Sequence, residues 1–170
     1  MAWVTPHDFA YQESVTSSTM DSVKDNLLHL GELRPHGRAT DVSFSHTSSG
    51  NWLSPSWDSN SIATNVGTGF AASTGHFSQP EAGFYMLGAD ATFAANATGA
   101  RGIMLSSGTN GTGTIYAQNF SPSQSIAVAS AVSTGVQLSA GASVYVSLFQ
   151  GSGGSLTCTA IHMWAIWMTT

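Results

Sequence analysis

"TAIHMWAIWM", residues 159–168, has no polar face. Read as a strand, it sends Ile161, Met163, Ala165 and Trp167 to one side and His162, Trp164, Ile166 and Met168 to the other. Successive side chains of a strand alternate in this way. A strand wetted on one side would alternate apolar with polar residues, so this segment is covered on both. One covering is the core of its own domain. The other is a loop of the same chain or a neighbouring molecule, and the alternation alone leaves open which face takes which.

The surrounding sequence has the same character. From Gly102 to Thr170 there is no Asp, Glu, Lys or Arg. Charged residues are 8% of the 170, against about 25% in ordinary soluble domains. Gly, Ser and Thr are abundant, which favours strands and turns over helices. The pattern places strands at 42–46, 61–66, 75–79, 83–94, 100–106, 114–120, 125–132, 142–150 and 159–168. "SSGN", "NVGTG", "NATG", "SGTNGTG", "SPSQ", "SAG" and "GSGG" supply the turns. This order predicts an all-β, antiparallel jelly-roll sandwich over residues 42–170.

The first residues differ. Residues 1–16 read as an extended arm with Trp3, Phe9 and Tyr11 as anchors. Residues 18–31 read as a short helix, with Ser18 and Asp21 forming a capping box and Gly31 the stop. Met20, Val23, Leu27 and Leu30 make a narrow apolar seam on it. Helices below about 12–15 residues are marginal alone, so this one needs a partner. That partner is its own domain, a second copy or a larger body. Residues 32–41, "ELRPHGRATD", read as a linker between the 1–31 segment and the sandwich.

Composition narrows function. The net charge of −5 and the four scattered basic residues argue against nucleic-acid binding. No apolar run approaches the roughly 20 residues of a membrane span, and the start has no secretion signal. Cys158 reads as a small core side chain. The histidines (His7, His29, His36, His46, His76, His162) show no metal-ligand spacing, and no cofactor is expected. His162 reads as a hydrogen-bonded or solvated side chain, with an ion held by three copies as the alternative. The carboxylates Asp41, Asp58, Glu81 and Asp90 form no close pair of the kind a glycosidase uses. There is no G-x-S-x-G elbow, so an enzyme is not expected. A hairpin turning at "AANATG" would bring Asp90 to Arg101 as a structural ion pair. Trp52 and Trp57 in "NWLSPSWDSN" are candidate glycan contacts, or else fill the sandwich base or a subunit interface.

Two family resemblances add to this reading. "VSFSH" (42–46), "STGHFSQPEAGFYMLGADATF" (73–93), "SIAVASAVSTGVQLSAGASVYVSLF" (125–149) and "IHMWAIWM" (161–168) occur in the order of the complement-q and tumour-necrosis-factor-like jelly rolls, which they resemble. One departure is Ala142 in "SAGASVYV", where that family carries an acidic residue. The resemblance implies a homotrimer around a threefold axis. Ile161, Met163, Trp164, Ile166, Trp167 and Met168 would then form core and trimer interface. The N-terminal "AWVTPHDFAYQESVTSSTMDSVKDNLLHL" resembles the start of many tailed-bacteriophage tail and fibre proteins, through Trp3, Thr5, Pro6, Phe9, Glu13, Val15, Thr16, Met20, Val23, Asp25, Asn26, Leu27 and Leu30. It implies a virion structural protein made in the bacterial host cytoplasm. Such a protein would be a trimeric knob on tail, fibre or capsid surface, anchored to other virion proteins by residues 1–31. The alternative is a receptor- or glycan-binding protein at the tail tip.

Overall fold

The computed structural model describes residues 36–39, 43–47, 49–57, 62–66, 69–71 and 75–169. The proposed attachment helix with its Met20/Val23/Leu27/Leu30 seam lies outside them. Twelve strands are present among the described residues: β1 (His36–Ala39), β2 (Phe44–His46), β3 (Trp52–Leu53), β4 (Ile62–Val66), β5 (Phe70–Ala71), β6 (His76–Ser78), β7 (Gly83–Phe93), β8 (Asn96–Ser106), β9 (Ile115–Gln124), β10 (Val128–Leu138), β11 (Ser143–Gln150) and β12 (Leu156–Thr169). All observed pairings are antiparallel. One sheet runs β10-β7-β12-β1-β4, with β2 also on β12. The other runs β5-β6-β11-β8-β9, with β3 on β11. The sequence-derived jelly roll is therefore present, as two facing sheets.

β7, β8, β11 and β12 each contribute one face to the space between the sheets. Tyr85, Leu87, Ala89, Ala91 and Phe93 of β7 are buried there, with Ile161, Met163, Ala165 and Trp167 of β12. Ile103 and Leu105 of β8 and Val144, Val146 and Leu148 of β11 meet them from the other sheet. Alternation every two residues produces this layer.

Two expectations fail. The segment 32–41 is not simply a linker, because β1 lies within it. His36–Ala39 pairs with Ile166–Met163 of β12 on one side and with β4 on the other. With Gly37 and Arg38 inside it the segment has no apolar period to read, and its extended form comes from the two neighbours it joins. Nor do Asp90 and Arg101 form an ion pair. β7 and β8 do not make a hairpin ladder; the chain crosses at Ala94–Ala95 from one sheet to the other. Asp90 faces outward, whereas Arg101 points between the sheets and is fully buried. Its guanidinium donates to the carbonyls of Asn96 (2.8 Å), Thr98 (3.0 Å) and Ala100 (3.0 Å), pinning the irregular start of β8. Burial lowers its pKa, and the nearby Cys158 acts in the opposite sense.

The core also holds groups that resist ionisation. Burial pushes the Cys158 thiol up to about 12, with Arg101 pulling the other way. Burial likewise takes Tyr85 up to about 12, although its hydroxyl donates to the Glu81 carbonyl at 2.8 Å. In the unfolded chain both groups ionise near their ordinary values of about 8.5 and 10. Native pKa values above unfolded ones mean that stability is full below about pH 8.5 and declines from there toward pH 12. Urea midpoints should therefore hold level from pH 7 to 8.5 and fall above pH 9. Cys158→Ala should remove the first part of that fall. Native protein should also resist thiol alkylation at pH 8, where unfolded protein reacts.

Candidate functional site: the outer face of the β12 sheet

The β7, β10, β12 and β1 registers set the outward side chains in cross-strand rows. One row is Gly135–Met86–Ile166–His36, the next Ser133–Gly88–Trp164–Arg38, the next Ala131–Asp90–His162. The face is largely apolar: Ile166 is 44% and Met168 43% exposed. Trp164 lies flat over Gly88, where an added Cβ would collide with the indole. Gly88→Ala should lift the indole off the sheet and cost about 2 kcal/mol, measurable in urea unfolding alongside a shift in tryptophan emission. Gly135 likewise leaves room for the Phe84 and Met86 side chains.

Set in this face is one carboxylate. Asp90 Oδ2 accepts a hydrogen bond from His162 Nδ1 at 2.6 Å. A carboxylate only accepts, so the proton sits on Nδ1. Beside the pair is a hollow of about 270 Å³ lined by Ala89, Asp90, Ala131, Val132, Ser133 and Trp164. It exists because Gly88, Ala89, Ala131 and Ser133 are small. The histidine partially compensates the carboxylate, which lowers the cost of covering the face with protein. No cluster of three or more His, Cys, Asp or Glu capable of holding a metal occurs among the described residues.

The site residues expected from sequence divide cleanly. Ile161, Met163 and Trp167 fill the sandwich core. Trp164, Ile166 and Met168 stand on the outer face, where Ile166 and Met168 remain exposed and Trp164 is half-buried. Trp57 is 2% exposed and donates Nε1–H to the Gly75 carbonyl (3.1 Å), so it is a core residue and not a glycan contact. Trp52 is only partly buried and lies on the outside of the opposite sheet, against Phe120 and Phe149. Sequence reasoning missed the His162–Asp90 pair, although each is a polar residue in an apolar strand and so had signalled that it needs a partner.

Comparison with known proteins agrees with this architecture. The C1q domain family matches residues 43–161, most of the chain and nearly all of the sandwich. The chain belongs to the C1q domain family. Among solved structures, this C1q-domain chain is similar to the globular domain of zebrafish complement 1qA, at 19% identity and a TM-score of 0.52 over 77% of this chain and 95% of that one. It is similar to murine APRIL at 14% identity and a TM-score of 0.58, covering 78% and 99%. It is similar also to the PRD1 vertex protein P5 at 15% identity and a TM-score of 0.54, covering 82% and 100%. At these identities the likeness is one of fold. No curated protein matches the chain in sequence.

Proposed function

We propose that this C1q-domain protein is a non-enzymatic virion structural module, a homotrimeric knob whose subunits meet through the outer face of the β12 sheet. The observation that carries the reading is that face. Met86, Trp164, Ile166 and Met168 form a continuous apolar surface on the central strands, and its one carboxylate already has a histidine partner. Surfaces of this kind mark protein contacts. Residues 102–170 carry no Asp, Glu, Lys or Arg to keep such a surface soluble in a monomer.

The virion assignment draws on two further supports. The PRD1 vertex protein, a phage component, shares the fold. The N-terminal "AWVTPHDFAYQESVTSSTMDSVKDNLLHL" resembles phage tail and fibre starts. In this reading residues 1–31 fasten the knob to tail, fibre or capsid proteins through the Met20/Val23/Leu27/Leu30 seam, and the protein is made in the bacterial host cytoplasm before assembly. Deleting residues 1–31 should leave a folded trimer that no longer co-purifies with particles. Truncated protein on particles at normal copy number would show that attachment runs through the sandwich instead.

A further inference from the structure

The sheet opposite the proposed subunit contact carries a second surface. Four residues on its outer side lie in one cross-strand row: Trp52 of β3, Phe149 of β11, Gly102 of β8 and Phe120 of β9. The three rings touch pairwise. Centroids are 5.4 Å apart for Trp52–Phe120, 5.5 Å for Trp52–Phe149 and 5.6 Å for Phe120–Phe149, with interplanar angles of 65°, 50° and 74°. Gly102 makes this possible. A Cβ there would stand 2.9 Å from Trp52 Cη2 and 3.0 Å from Phe120 Cε1, so the missing side chain lets the outer rings close over the strand.

Trp52 is held in place. Ser54 N–H donates to Asn110 Oδ1 and Asn110 N–H donates to Ser54 Oγ, both at 2.9 Å. Gly111 N–H donates to Ser147 Oγ at 2.9 Å, and the Ser54 and Ser147 hydroxyls are 2.9 Å apart. These bonds fold the turn 107–114 back on the sheet and set Gly111 against the Trp52 indole. Phe120 stays 50% exposed. The exposed amide residues Asn110 and Gln118 lie beside the row.

Charge identifies the ligand class. Across all six strands of this sheet the only charged residue is Arg101, which points inward and is fully buried. The outer face of these strands therefore carries no Asp, Glu, Lys or Arg, and presents preset aromatic rings with amide groups at the rim. That combination suits a ligand with apolar C–H faces and neutral hydroxyls, because the electron-rich ring face attracts the slightly positive C–H edge, and its strands present no outward Asp, Glu, Lys or Arg to pair with a charged ligand. We propose that the Trp52–Phe149–Gly102–Phe120 row binds neutral glycans, taking hexopyranose units on the exposed rings. The proposal does not depend on the subunit contact or the virion location, since the row is on the other sheet.

The test titrates the full chain with maltotriose, chitotriose and galactotriose, and with 3′-sialyllactose as the anionic control, read by saturation-transfer NMR and calorimetry. At least one neutral trisaccharide should bind, and sialyllactose should bind at least tenfold more weakly. Phe120→Ser and Gly102→Ala should each weaken binding tenfold or more while thermal melts show folded protein, and Met168→Ser, on the opposite sheet, should leave it unchanged. Three results would overturn the proposal: no neutral trisaccharide binds; binding survives Phe120→Ser; or no sugar binds and Phe120→Ser lowers the sedimenting mass, which would make the row a subunit contact. Loss of the trimer in Ile166→Asp with sugar binding retained would separate this site from the assembly face.

Discussion

Ile166→Asp should yield a folded monomer. Ile166 is 44% exposed in the single chain, so a carboxylate there meets water and should change the stability of one subunit by only about 0.5 kcal/mol. In the trimer three such groups would be closed against Met86, Trp164 and Met168, beside the cross-strand neighbour His36 of β1. An uncompensated buried charge costs several kcal/mol. Association should weaken by more than about a thousandfold, which is about 4 kcal/mol. Sedimentation velocity reads the mass and circular dichroism the fold. Unfolding, in place of dissociation, would mean that Ile166 belongs to the core of one chain and that the face is covered from within.

The second large effect belongs to Arg101. Arg101→Met keeps most of the volume but leaves the carbonyls of Asn96, Thr98 and Ala100 without the guanidinium they share. Losing hydrogen bonds to a charged donor in a buried place costs roughly 1.5–3 kcal/mol each at most, and less where water enters. A total near 3 kcal/mol is expected in urea unfolding. Asp90→Ala should cost far less, and the double variant should equal the sum of the two within about 0.5 kcal/mol, as for sites that share no partner. Coupling beyond that would restore the direct pairing that the hairpin reading of "AANATG" suggested.

That misreading shows what sequence can and cannot carry. Long strands such as β7, β11 and β12 are legible because two-residue alternation and glycine-rich turns are local properties, whereas β10 is legible only in its first part, the sequence reading ending at 132 where the strand runs on to Leu138. Pairing is not local. The hairpin expectation placed Asp90 beside the next strand in sequence, whereas in a jelly roll that strand belongs to the other sheet and the partner is His162, seventy-two positions on. β1 reads as linker in the sequence because four residues including Gly37 and Arg38 have no period of their own. Trp52 and Trp57 lie five residues apart in one turn-rich stretch, and nothing in their spacing says that one is core and the other surface. The two-sided apolarity of "TAIHMWAIWM" was readable, but the assignment of faces needed the sheet: Met163 and Trp167 point inward, and Trp164, Ile166 and Met168 point out.

The central claim is that this outer face joins three copies of the chain. Sedimentation equilibrium of the purified full chain at micromolar concentration tests it most directly. The account predicts a single species of three times the chain mass, reduced to one chain mass by Ile166→Asp. A soluble, stable monomer across that concentration range would contradict it.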